Sequence, residues 1–191
     1  MPSWTDAQAA FIAQVVRNPA SAAILDRWSA LDLPDGWLVA GCLFQSVWDL
    51  RGGRPVQEGI RDYDVFYFDP ADLSEAAERE VQARVDAALA DLGVMVEAKN
   101  QARVHLWYQE FFGHPYPALR DARDGIDRFL VRETCVGVRP SGSGWQVHAP
   151  NGIETVAAGT LSRNPLTPHA ALFDAKAASY CARWPWLRVV D

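Results

Sequence analysis

The sequence predicts a mixed α/β fold of the α+β kind: a small mixed sheet flanked by helices, with a helical preface before it and a hairpin plus helix after it. Three observations lead there. Strand-like and helix-like periods alternate as strand, helix, strand, helix, strand between residues 37 and 98. A single glycine, Gly41, stands at the first strand-to-helix junction. The second strand, around Asp62-Tyr63-Asp64-Val65-Phe66-Tyr67-Phe68, carries two carboxylates at the entrance of an apolar run of β-branched and aromatic residues. Such a run suits a strand covered on both faces.

Each element has its own signal. Residues 3–17 place Ala9, Ile12, Ala13 and Val16 at helical spacing, with Ser3 or Thr5 as cap. Asn18 and Pro19 end that helix and start another, as N-cap and first helical residue; Ala23, Ile24, Arg27, Trp28 and Leu31 continue it. Leu33-Pro34-Asp35-Gly36 is a turn. Trp37–Ala40 is a short apolar strand, and Cys42–Leu50 then follows helical spacing, with Leu43, Val47 and Leu50 on one face. Arg51–Pro55 is a loop, and Asp69-Pro70 closes the second strand. Asp72 and Glu75 fit a capping box for an amphipathic helix that runs to Leu92 and stops at Gly93. Val94–Ala98 is the third strand, and a helix starts near Asn100. Another covers about Pro117–Arg128. Glu133–Arg139 and Trp145–Ala149 form a hairpin around Pro140–Gly144. Asn164-Pro165 is a turn, and a last helix covers His169–Arg183. It stops before Trp184 because Pro185 disfavours helical backbone there.

Composition narrows the function classes. The chain has 191 residues, 49% of them hydrophobic and 22% charged, so a core is available and one domain is expected. A net charge of −6 argues against a broad basic face for nucleic acid, and no extended nucleic-acid surface is expected. Lys99 and Lys176 are the only lysines; every other cation is arginine. The cysteines Cys42, Cys135 and Cys181 form no CxxC pair, and the four histidines lack metal-ligand spacing. No basic-then-apolar leader and no 18-residue apolar run is present, so the expectation is a cytoplasmic protein without a membrane segment.

The polar residues suggest a chemistry. In a strand, residues i and i+2 share a face, so Asp62 and Asp64 project side by side, roughly 6.5–7 Å apart along the backbone. Carboxylates that close repel unless a cation sits between them, and a hard divalent ion such as Mg²⁺ (or Mn²⁺) is the natural occupant. The alternative makes Asp62 a turn cap and Asp64 an exposed strand residue. Gly41 brings free N–H groups at a helix N-terminus close to any phosphate there; the alternative is a glycine kept for steric reasons only. Glu97, near the end of the third strand, would lie beside the two aspartates if the strands are neighbours, or else face solvent. Lys99 and Arg103 are candidates for phosphate contacts, while Trp107 and Tyr108 fit a core or a groove wall. Together these pieces have the layout of a two-metal phosphoryl-transfer site, with a triphosphate at the helix N-terminus, Asp62 and Asp64 bridging Mg²⁺ ions and Glu97 assisting an attacking hydroxyl.

The segments 40–49, 60–69 and 96–107, with 134–139, 149–152 and 163–165, resemble those of an uncharacterised bacterial nucleotidyltransferase family in the DNA polymerase β-type superfamily. The resemblance covers residues from about 37 to the C-terminus. It implies a polymerase β-type core, Mg²⁺ dependence, and transfer of a nucleoside monophosphate from a nucleoside triphosphate to an acceptor, with release of pyrophosphate. It implies catalytic roles for Asp62, Asp64 and Glu97, metal binding by Asp62 and Asp64, and nucleotide contacts from Gly41, Cys42, Gln45, Lys99 and Arg103. Within one domain, it divides the chain into a helical preface (1–33), a catalytic core (37–110) and a C-terminal extension (111–191). The chain departs from the superfamily in two places: Cys42 stands where serine usually follows the glycine, and the gap from Gly41 to Asp62 is longer. These departures keep two alternatives open: a nucleotide- or metal-binding protein without catalysis, and a protein-interaction module. The acceptor is unknown.

Overall fold

A computed structural model describes residues 5–142, 144–167 and 169–190. Helix α1 (Asp6–Val15) begins at Thr5, whose side chain closes a capping box with Gln8; the other candidate cap, Ser3, lies outside the described residues. The Asn18 side chain caps α2 (Pro19–Asp26) by accepting from the Ala20 and Ser21 N–H groups. The helix expected to continue through Leu31 breaks at Arg27 and resumes as the single turn α3 (Trp28–Leu31). Next come β1 (Trp37–Val39), α4 (Gly41–Arg51), β2 (Tyr63–Tyr67), α5 (Glu75–Leu89) and β3 (Val96–Asn100). The second half supplies α6 (Val104–Phe112), α7 (Ala122–Ile126), the hairpin strands β4 (Gly137–Ser141) and β5 (Gly144–His148), α8 (Glu154–Ala158), β6 (Thr160–Leu161), α9 (Ala170–Arg183) and β7 (Arg188–Val189).

The main sheet has the order β3-β2-β1-β4-β5. β2 and β3 are parallel, with α5 as the crossover between them, and the other pairings are antiparallel. β6 and β7 form a separate parallel pair, which the sequence reading did not anticipate. The fold is thus α+β with a mixed sheet. The strands come from both sides of residue 110, because β4 of the C-terminal part pairs with β1.

Side chains alternate across the sheet. Tyr63, Val65 and Tyr67 are buried, whereas Asp64 and Phe66 are only half-buried. The expectation of a strand covered on both faces therefore holds only in part: one face is buried and the other half-buried. The buried set joins the main core with Leu43 and Val47 of α4 and Val85 and Leu89 of α5. The other face has a thinner cover in which Trp37, Val39, Ala122 and Ile126 pack with Phe66 and Phe129. Full burial of a Val or Leu contributes roughly 1.5–3 kcal/mol, so the helix-covered face anchors the sheet and leaves the opposite face partly open.

Several local expectations shift. Ser74, not Asp72, caps α5; Asp72 accepts the Ser74 N–H just before it. β3 starts two residues later than expected and includes Lys99, because it follows β2 in register as far as Tyr67↔Asn100. Asn100 then caps a 3-10 turn, Gln101–Arg103, that leads into α6. Glu133 and Thr134 lie in another such turn rather than in a strand. The helix expected over Pro117–Arg128 is confined to α7, which starts at the Asp121 cap. Ser143, in the expected hairpin loop, lies outside the described residues.

Candidate functional site

The site begins where β1 turns into α4. Ala40 has φ 62° and ψ −139°, backbone that essentially only glycine adopts without strain. That kink ends β1 and starts α4 at the cavity, which Ala40 and Gly41 line. The first N–H groups of a helix have no partner within it and carry its positive dipole end. Here they face a cavity of about 470 Å³, within the usual range for small-molecule sites.

Gly41 and Gln45 line this cavity from α4, Asp62 and Asp64 from the start of β2, and Lys99 from β3. Register explains the grouping. Asp64 is the cross-strand partner of Glu97, and Phe66 is the partner of Lys99, so all four share one face of the parallel pair. Glu97 lies next to Asp64 across the strand pair, and its carboxylate pairs with Lys99 at 3.7 Å. Asp64 is affected by its burial as well as by this crowding. Its pKa is pushed up to about 7, first by burial and then by the Asp62 and Glu97 carboxylates, with Lys176 and Lys99 opposing.

Two candidates are placed elsewhere. The Cys42 side chain is fully buried behind the helix start, and its Sγ donates to the Val39 carbonyl at 3.3 Å. Burial holds the thiol well above its usual pKa, so the side chain offers nothing to a nucleotide. Arg103 turns away from the cavity. It pairs with Glu78 of α5 and donates through Nε to the Leu73 carbonyl at 3.2 Å. The 3-10 turn that follows Asn100 aims it at the start of α5, where it ties two segments together.

The opposite wall comes from residues the sequence reading did not single out as site residues: Arg128, Thr134, Thr167, Lys176 and Tyr180. Trp107 and Tyr108 are indeed part of the wall. One signal was available for Lys176. The chain uses arginine everywhere except at two positions, Lys99 and Lys176, and both line this cavity.

The donor set can be tested against a metal. Among the described residues no three His, Cys, Asp or Glu side chains form a preassembled cage. Two carboxylates that hold excess negative charge instead fit Mg²⁺, which keeps several waters and takes its other ligands from substrate phosphates. The arrangement fits an ion that arrives with its anionic substrate.

A family model described as nucleotidyltransferase matches residues 26–189. A solved structure described in the words "The NMR structure of the protein reveals a CCA-adding enzyme head domain" superposes with a TM-score of 0.76 at 21% identity, covering 100% of this chain and 97% of that one. At that identity the likeness is one of fold. No curated protein matches the chain.

Proposed function

The chain belongs to the nucleotidyltransferase family, and on that premise we propose that it transfers a nucleoside monophosphate from a nucleoside triphosphate to a hydroxyl acceptor, with release of pyrophosphate. The observation that carries this reading is the convergence of Asp62, Asp64, the α4 N-terminus and Lys99 on one cavity. In this reading residues 37–110 supply the carboxylates and the phosphate subsite, and residues 111–191 close the cavity from the other side. The setting we propose is cytoplasmic; among the described residues no helix is long and apolar enough to cross a membrane.

Asp62 and Asp64 would hold Mg²⁺, or Mn²⁺ in its place. A divalent ion bound there supplies neutralisation of the phosphate charge and of the charge that develops on the attacking and leaving oxygens. The N–H groups at the start of α4 receive phosphate oxygens, and Lys99 and Lys176 add positive charge from two walls. Glu97, beside Asp64, takes the proton of the acceptor hydroxyl. The acceptor oxygen then bonds to the α-phosphorus while the bond to pyrophosphate breaks.

A second reading, nucleotide binding without transfer, draws support from one observation. Glu97 is already paired with Lys99 and is not among the residues that line the cavity. Thermal unfolding with each ribonucleoside triphosphate, with and without Mg²⁺, tests the shared part of both readings. A Mg²⁺-dependent rise in midpoint that Asp64→Asn abolishes is the expected result. The absence of any rise at millimolar nucleotide refutes both. Pyrophosphate release in an acceptor screen then separates them, because only the transferase liberates it.

A further inference from the structure

We infer that Arg183, at the end of α9 and outside the cavity, is a positioning residue that aims the amide of Gln45 at the phosphates of a bound nucleotide. The inference rests on the nucleotide-binding reading above and assigns a role to a residue that neither the motif spacing nor the cavity lining points to.

Gln45 lies one helical turn beyond Gly41 and lines the cavity. Its Oε1 accepts a hydrogen bond from Arg183 Nη1 at 3.1 Å. A guanidinium has donors only, so the amide oxygen, and not the NH₂ group, must face Arg183. The NH₂ group is therefore turned the other way, toward the start of α4. A Cβ at Gly41 would come within 2.5 Å of Gln45 Nε2. The glycine is thus needed for more than backbone freedom: it leaves the space that this amide occupies. The result is a side-chain donor set beside the free N–H groups of the helix start, where both meet the same anion.

Arg183 is itself fixed. Nη1 also donates to the Gly59 carbonyl at 3.3 Å, and the guanidinium lies 4.3 Å from the centroid of the Trp184 ring. Its carbonyl accepts from Arg54 Nη1 at 2.5 Å. Trp184 in turn donates from Nε1 to the buried Asp49 at 2.8 Å, which locks the end of α9 onto α4. The orientation of one cavity amide is therefore set by a joint between segments 138 residues apart in sequence.

Gln45→Glu tests the amide donors together with the negative charge it adds, and the Arg183 variants isolate orientation. A carboxylate keeps the acceptor for Arg183 but replaces the NH₂ donors with a second acceptor. Calorimetric titration with inorganic tripolyphosphate and with a Mg²⁺-nucleoside triphosphate should show affinity reduced by about tenfold or more, the scale of one charge-assisted hydrogen bond, with an undiminished unfolding midpoint. Arg183→Met should weaken both ligands by about three- to tenfold in the wild-type background. It should have no further effect in a Gln45→Ala background, and Arg183→Lys should recover part of the loss. If Arg183→Met unfolds the chain, Gln45→Glu and Arg183→Lys still decide. Wild-type binding together with unchanged Gln45→Glu affinity, or with fully additive Arg183 and Gln45 effects, overturns the inference and leaves nucleotide binding intact. No binding by the wild type overturns the nucleotide reading and this inference with it.

Discussion

Without a bound cation the protein should lose stability as the pH rises toward neutrality, and Asp64→Asn should remove that loss. The cause is first the burial of Asp64 and then its crowding by Asp62 and Glu97 at the β2–β3 pair, which together push it from an ordinary 3.8 up to about 7 in the folded state. The sign is the reverse of the usual carboxylate case. Between these two values the unfolded chain has released the Asp64 proton and the folded chain still holds it. Unfolding therefore becomes easier with each step in pH. Below 3.8 both states are protonated, and above about 7 both are ionised, so the effect is confined to that window. Each pH unit inside it costs about 1.4 kcal/mol, which makes about 4 kcal/mol the upper bound across the window. Between pH 5 and 8 the share is about 2–3 kcal/mol, and partial water access lowers the expectation to roughly 1–2 kcal/mol. Urea unfolding in chelator at pH 5, 6, 7 and 8 measures it for wild type and Asp64→Asn. The difference between the two unfolding free energies should widen up to pH 7 and then level off. Any pH-independent offset from the substitution cancels, because only the slope is used. Parallel curves would refute the premise that the ionised carboxylate is destabilised by its burial and its neighbours, and with it the reason for expecting a cation there.

Three further outcomes follow from the geometry. Ala40→Gly relieves the backbone at φ 62° and should raise stability by about 1 kcal/mol, or about 2–4 °C in Tm; a fall in Tm would show that the kink is not strained. Arg103→Met leaves Glu78 short of its partner and should destabilise by about 1–3 kcal/mol, measured by urea unfolding, while calorimetric titration shows unchanged nucleotide affinity; a selective loss of affinity would return Arg103 to the site. Lys176→Met removes one of the two cavity lysines and should weaken Mg²⁺-nucleotide binding by about three- to tenfold, with a shallower salt dependence; an unchanged dissociation constant at low and high salt would place that lysine outside the phosphate path.

What the sequence determined by itself is local. The alternation that sets Asp62 and Asp64 on one face needs only the two-residue period of a strand, and the α4 start needs only a glycine after a short apolar run. The Asn18 and Thr5 caps need only a polar side chain two or three residues before the N–H it accepts from. For the same reason the errors also fell at boundaries. Whether Lys99 ends a strand or opens a helix depended on β3 keeping register with β2, a contact between segments about 30 residues apart. Tertiary structure alone decided the rest. It paired β4 with β1, turned Cys42 behind its helix, drew Arg103 to Glu78, brought Lys176 from the last helix to a cavity whose carboxylates lie more than 100 residues earlier, and set Arg183 of that helix against Gln45. Backbone periods are written in neighbouring residues. Which distant side chain reaches a given cavity depends instead on how all the apolar faces pack at once, and no short stretch of sequence carries that information.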